Sequence, residues 1–440
     1  MAQKMNGKRR QLLQASSALG MAGVVPTVMA QNGFNWKQAA GKKIEVHLIK
    51  NPRGELLLKN QKEFEALTGI KVGLELVPEQ QSRQKTVIEF NSGQTSFDVV
   101  QISYQAQKIQ FGKGKWLEDL RPFFAKSAEE VDIRDFSTGA LTFATQADGR
   151  VDTLPLNLDP WILYYNKELF AAKNINPPKT FAELLTAAKA LHDPSKGISG
   201  FVGRGLKNAN VLVWTSFFLG YGGVFIDPQG KLLTDSQAGI DGATLYRDLQ
   251  KGTGPAGVAG FNWNEAQSLF LQGRAAMWID GSGFAPPLED PSKSKIVGKV
   301  GYSVIPAGPA GQISGLTGDG LGVSAFSKNK DAAYLFTLWA TGKLMQARML
   351  QTGAGAPARN SAYDNKEAVA AQTLPIQWLQ AVAESIKHSK PILPMIEPVN
   401  EFRDVFGIAL VNILGGADVT TELKNATTEF QPVLNKSLAP

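Results

Sequence analysis

The chain has 440 residues, of which 43% are hydrophobic and 19% charged, enough to bury two or three cores and too apolar for a disordered protein. It contains no cysteine, which excludes disulfides, thiolate metal sites, cysteine nucleophiles and a lipid-anchored cysteine, and its three histidines (His47, His192 and His388) are too far apart for ligand spacing. The formal net charge is +7, but Lys4, Lys8, Arg9 and Arg10 supply four of those charges and residues 11–30 supply none, so the body carries only +3 and gives no general case for nucleic acid.

Lys8-Arg9-Arg10 precedes a mildly apolar stretch over 12–30 that is broken by Ser16, Ser17, Gly20, Gly23 and Pro26. Val28-Met29-Ala30 offers the small or compact side chains that a signal peptidase accepts. Arg9-Arg10-Gln11-Leu12-Leu13 is similar to a twin-arginine export signal, with Leu12 where Phe is commoner. Residues 1–30 are therefore expected to be a removable export signal, leaving a soluble periplasmic protein that begins near Gln31. No later stretch approaches the roughly 20 unbroken apolar residues of a membrane span.

Residues 44–48 alternate with period two and predict a strand. Asn51-Pro52-Arg53-Gly54 breaks that pattern, residues 55–67 place Leu56, Leu57, Phe64 and Leu67 on one helical face, and Gly69 supplies a left-handed stop. Residues 70–77 alternate again, and 97–102 form a short apolar run suited to a buried strand. This rhythm predicts a parallel α/β sheet, whose ligands sit beyond the carboxyl ends of the strands. The segments that matter are then 51–54 and 103–105. A second unit begins near residue 160, with Thr180 and Glu183 marking a helix start, a buried helix over 211–221, helix at 265–273, strand at 275–279, and helices at 331–341 and 405–414. No linker separates the units, which implies that the chain crosses between them more than once.

No phosphate-binding loop, His-Glu-x-x-His helix or Gly-x-Ser-x-Gly elbow occurs. Gly318-Asp319-Gly320-Leu321-Gly322 lacks dinucleotide spacing and is expected to be a flexible crossing. Asp159, Asp280 and Asp319 are the candidates for a glycosidase-like carboxylate pair, but each borders Pro or Gly, where Asp also serves turn chemistry. Tyr104, Trp161, Trp214, Trp263, Trp278 and Phe284 lie beside breaks or beside Asp, Asn or Gly. Sugars and polyols present C–H patches to aromatic faces and hydroxyls to Asp, Asn and Arg. Core packing competes with that reading for Tyr104, Trp161 and Trp214, is the stronger reading for Trp278, and a packing or surface place is expected of Trp263.

Four stretches carry a family resemblance. They are Phe64-Glu65-Ala66-Leu67-Thr68-Gly69-Ile70-Lys71-Val72; Phe97-Asp98-Val99-Val100 with Trp116-Leu117-Glu118-Asp119-Leu120; Leu154-Pro155 with Leu163-Tyr164-Tyr165-Asn166-Lys167-Glu168-Leu169-Phe170; and Phe270-Leu271-Gln272-Gly273-Arg274-Ala275-Ala276-Met277 running on to Gly318-Asp319-Gly320-Leu321-Gly322-Val323-Ser324. In that order, behind an export signal, the chain resembles the extracellular solute-binding proteins of ATP-binding cassette importers, in the carbohydrate-binding group typified by maltose-binding protein, across residues 42–435.

The resemblance implies a periplasmic-binding-protein fold of two α/β lobes with the ligand between them. The three crossings would fall near 154–159, 316–322 and 353–359. One lobe would hold 31–156 plus 319–355 and the other 157–318 plus 356–440. Carried over by position, the ligand-binding residues would be Asn51, Arg53, Ser103, Tyr104, Asp159, Trp161, Asn208, Trp214, Asp280, Gly281, Phe284, Asp319 and Arg359. The family's aromatic ligand stacker has no obvious counterpart at 397–403, which favours a monosaccharide or polyol over an oligosaccharide. The implied protein is a monomer without cofactor that partners a membrane permease. The alternatives are an exported carbohydrate-active enzyme, or a receptor for an anion such as glycerol phosphate.

Overall fold

The computed structural model describes residues 34–438, so the expected export signal lies outside the described residues. Alternation produces the first strand, β1 (Lys43–Ile49), with Ile44, Val46 and Leu48 fully buried. Helix α1 (Pro52–Thr68) starts earlier than the apolar spacing suggests. Asn51 caps it and Pro52 occupies its first turn, where a missing N–H costs nothing. Gly69 ends it at φ 73°, a left-handed conformation that favours glycine. Strand β2 (Lys71–Val77), helix α2 (Glu79–Asn91), strand β3 (Val99–Ser103) and helix α3 (Tyr104–Gly114) complete the first unit. Both β2 and β3 pair parallel to β1.

The remaining strands are β4 (Leu154–Asn166), β5 (Met277–Gly281), β6 (Val300–Val304), β7 (Ser314–Val323), β8 (Ala356–Pro357) and β9 (Ser389–Pro391). The sheet order is β2-β1-β3-β7-β4-β5, with β6 and β8 also on β4 and β9 on β7. Strand β4 joins the two halves: residues 154–160 pair with β7, while 161–166 pair with β5 and β6. The expected flexible crossing at 318–322 is instead the middle of β7, buried throughout. All three expected crossings lie side by side, since Asn157 pairs with both Asp319 and Pro357. Glycine permits the packing: a Cβ at Gly320 would strike the Tyr104 hydroxyl, and one at Gly318 the Asn157 carbonyl.

Each half has its own core. In the first, Phe64 packs on Phe336, and Phe90 stacks flat against Trp116. In the second, Trp214, Phe402, Phe406 and Phe430 interlock beneath the helix Asn210–Gly220. Thr180 caps the helix Phe181–Leu191 as its spacing with Glu183 predicts, although the Glu183 carboxylate accepts from the Lys179 N–H. Trp278 is core: it is fully buried and stacked on Tyr164.

Candidate ligand-binding site

The carboxyl ends of β1, β2 and β3 converge on one cavity. Beyond β1, the Asn51 side-chain oxygen accepts the Gly54 N–H at 3.0 Å. The same turn points Arg53 inward, where it is 5% exposed. Its Nε donates to Asp319 Oδ2 at 3.0 Å, and its Nη1 reaches Asp159 Oδ2 and the Ala354 carbonyl, each at 3.4 Å. Asp319 also accepts from Gln101 (3.0 Å) and from Ser103 Oγ (3.1 Å). The second oxygen of Asp159 accepts from Ser282 Oγ at 3.0 Å and the Gly283 N–H at 2.8 Å. Burial pushes the Asp159 carboxyl above its ordinary range, against the pull of Arg53 and of these two donors. Arg53 is thus clamped between one carboxylate from β4 and one from β7, with its direction fixed.

The other half supplies a second clamped arginine. Arg204 donates to both oxygens of Asp280, at 2.9 and 2.5 Å. Burial disfavours its charge, but Asp280 outweighs that and the guanidinium is held protonated. Its carbon lies 5.1 Å from the Trp161 ring centre and 5.8 Å from that of Phe284. Phe284 in turn stacks on Trp263 at 4.6 Å and 16°. Trp161, Arg204, Phe284 and Trp263 therefore form one continuous face, apolar over the rings and hydrogen-bonding at the guanidinium. Beyond β2, Glu79 accepts from Arg83 Nη2 at 2.5 Å and from Trp263 Nε1 at 3.1 Å. Burial works to raise its pKa, but Arg83, Arg204, Arg403 and the Trp263 N–H together hold it below the ordinary value.

These groups line one partly open cavity between the strand ends, about 490 Å³ when the solvent-open space at its mouth is included. Of the residues expected at the site, Asn51, Arg53, Ser103, Asp159, Trp161, Gly281, Phe284 and Asp319 line the cavity. Five others stand elsewhere. Tyr104 turns away to stack on Phe143 and bond Thr153, since Gly320 leaves room for its ring. Trp214 is core, its N–H bonded to the Gly239 carbonyl. Asp280 stands behind Arg204. Asn208 sits in a left-handed turn at φ 61°, bonded to Asp404 and Arg403. Arg359 lies over Phe136 at 3.8 Å and donates to the carbonyls of Thr341, Val131 and Asp132.

The cavity also takes residues that the sequence reading did not select: Glu79, Arg204, Leu212, Trp263, Thr317 and Gly318, with Gln105 from the segment flagged after β3. Glu79 was accessible to the same rule, because it follows β2 as Asn51 follows β1. Arg204 had a weaker signal, a lone charge in Gly203-Arg204-Gly205 after the apolar Phe201-Val202. Val202 bridges Trp278 in parallel, which puts Arg204 beside the carboxyl end of β5. Among the described residues, no three His, Cys, Asp or Glu side chains are placed to hold a metal ion, and no helix is long and apolar enough to cross a membrane.

Comparison with known proteins agrees with this architecture. An erythritol/L-threitol-binding protein of Mycolicibacterium smegmatis is 28% identical over 424 residues, covering 89% of this chain and 86% of the relative. A mannitol-binding protein of Pseudomonas aeruginosa is 26% identical over 340 residues, covering 75% of this chain and 74% of the relative. The crystal structure of an ABC transporter solute-binding protein from Agrobacterium radiobacter K84, in complex with ribitol, superposes with a TM-score of 0.83 at 28% identity, over 90% of this chain and 99% of that one. Residues 50–347 match the model of the bacterial extracellular solute-binding protein family. The chain belongs to that family and has its two-lobed periplasmic-binding-protein fold.

Proposed function

We propose that the protein captures a neutral sugar alcohol or small sugar in the periplasm and delivers it to the membrane permease of an ABC importer. The observation that carries this is the cavity between the halves, where two ion-paired arginines and their carboxylates stand beside the Trp161–Phe284–Trp263 face. Fixed donors and acceptors suit alternating hydroxyls, and the rings suit the C–H edges between them. Two arginines (Arg53 and Arg204) and three carboxylates (Glu79, Asp159 and Asp319) line the cavity, so it carries no excess of positive charge. That balance favours an uncharged ligand over an anion such as glycerol phosphate. The relatives named for erythritol/L-threitol and mannitol, and the one in complex with ribitol, point to ligands of the same kind.

In this reading one lobe comprises 31–156 plus 319–355 and the other 157–318 plus 356–440. The ligand touches both, since Arg53 and Asp319 belong to the first and Asp159, Trp161 and Arg204 to the second. Contacts outside the cavity also cross between the lobes: Lys113 to Glu397 at 2.6 Å, Asn400 to the Ala106 carbonyl at 3.2 Å, and Gln80 to Asn208 at 3.4 Å. A ligand that touches both lobes favours the closed arrangement, and the monomeric closed protein then presents one composite surface to the permease. Residues 1–30 direct export and are removed, and the bound ligand leaves chemically unchanged.

A thermal-shift screen of sugars and alditols tests the reading, because a ligand of the folded state raises the melting temperature. Calorimetry should then give one site per chain, and small-angle scattering a smaller radius of gyration with ligand. A screen in which sugars and alditols all fail while glycerol phosphate or another anion binds would overturn it.

A further inference from the structure

A second, larger hollow adjoins the cavity. It is open to solvent, spans about 1660 Å³ with that open space included, and shares Asn51, Glu79 and Trp263 with the inner cavity. Its remaining walls mix the amide side chains of Gln80, Gln81 and Asn264 with apolar surface from Pro78, Leu206 and Leu271. The Glu79–Trp263 hydrogen bond, 3.1 Å long, runs between the two lobes at the shared boundary. Both ends of that bond are anchored from behind. Arg83 holds the Glu79 carboxylate at 2.5 Å, and Phe284 holds the Trp263 ring by stacking. Both residues line the inner cavity and the outer hollow.

We propose that the Glu79–Trp263 pair is a length gate: it walls the inner cavity off from the outer hollow and restricts the ligand to one short polyol chain or one sugar ring. This rests on the carbohydrate reading above and adds the residues that set its upper size. A ligand with a second ring has to pass the wall and extend into the hollow, which breaks a hydrogen bond with a charged acceptor and leaves Arg83, Arg204 and Arg403 facing a carboxylate that has lost its Trp263 donor. The outer hollow already has the amide side chains that hydroxyls need. Its use is blocked by the gate and not by its chemistry.

The test compares erythritol, ribitol, mannitol and glucitol with maltitol, which is glucitol carrying one glucosyl ring. Binding is measured by calorimetry on the mature wild-type protein and on Trp263→Phe and Trp263→Ala. Trp263→Phe keeps a ring on Phe284 and removes only the N–H donor, whereas Trp263→Ala removes the wall. The wild type should prefer its best short alditol over maltitol by at least about 100-fold, which is about 2.7 kcal/mol. Trp263→Ala takes a ring from the face that holds every ligand and so weakens short alditols, but it should reduce that ratio at least tenfold, and Trp263→Phe should lie between. A wild type that binds maltitol as tightly as glucitol overturns the gate. So does a folded Trp263→Ala that keeps the ratio or loses both ligands equally, with circular dichroism and melting temperature reporting the fold. Failure of the wild type to bind any alditol or monosaccharide would instead strike the carbohydrate reading itself.

Discussion

Asp159→Asn is the most direct probe of the site, because it changes charge and almost nothing else. In the native protein Oδ1 takes the Ser282 hydroxyl and the Gly283 N–H, while Oδ2 faces Arg53 at 3.4 Å. The amide oxygen of the variant has to stay with the two donors, since an NH₂ there would meet an N–H. The NH₂ therefore turns toward Arg53 and the cavity, where a carboxylate oxygen had been. Arg53 loses its longer contact to position 159, 3.4 Å in the native protein, but keeps its Asp319 bond at 3.0 Å. What the ligand loses is one charge-assisted acceptor, which contributes about 1.5–3 kcal/mol and corresponds to about ten- to hundredfold in affinity. The pH dependence follows from the same group. Burial, opposed by Arg53, holds the folded pKa above the usual 3.8. The charged form is present above that raised value and lost as pH falls through it, so wild-type affinity should decline in acid sooner than an ordinary aspartate would allow. The variant should lack that acid limb. Calorimetry at neutral pH and across the acid range decides the matter. A folded Asp159→Asn within about threefold of wild type, or one with the same pH profile, would refute the assignment.

Three further outcomes are expected. Asp152 is 1% exposed and burial pushes its carboxyl up to about 6, against a Gln146 hydrogen bond. Between 3.8 and about 6 the unfolded chain releases its proton first, so stability falls as pH rises through that window, by up to about 3 kcal/mol. Asp152→Asn should therefore raise the melting temperature at neutral pH and leave it unchanged in strong acid, and an equal shift at both pH values would count against the argument. Arg359→Met strips donors from three backbone carbonyls and should cost more than about 3 kcal/mol in urea unfolding while ligand affinity of the folded protein stays within about twofold. Gly283→Ala puts a Cβ against Arg53 Nη1 and near the Ala354 carbonyl, both across the lobe boundary. It should weaken ligand binding with little change in unfolding stability, as read by calorimetry beside thermal melts.

Local patterning made much of the fold legible. Period-two alternation marked β1 and β2, Gly69 marked the end of α1 while its start at Pro52 lay inside a stretch read as a break, and the parallel arrangement pointed to the strand ends where Asn51, Arg53, Ser103 and Gln105 line the cavity. The three crossings were placed on Pro- and Gly-containing stretches, and those stretches lie together, but as a hydrogen-bonded ladder. Glycine content signals bending in one dimension. In a packed sheet it equally signals close approach, as at Gly320 beneath Tyr104.

The direction of each side chain was decided by tertiary structure. Tyr104 and Ser103 are neighbours in sequence, yet Ser103 faces Asp319 in the cavity while Tyr104 fills the opposite side of β7. Asp280 was selected and Arg204 was not, although the arginine meets the cavity and the aspartate only holds it. Their 76-residue separation leaves no trace in local sequence. Trp263 gained its role from Glu79, 184 positions away. Sequence periodicity records which face of its own element a residue occupies. Which other element stands opposite that face is settled by the packing of distant segments, and a binding site between two lobes is made of such pairings.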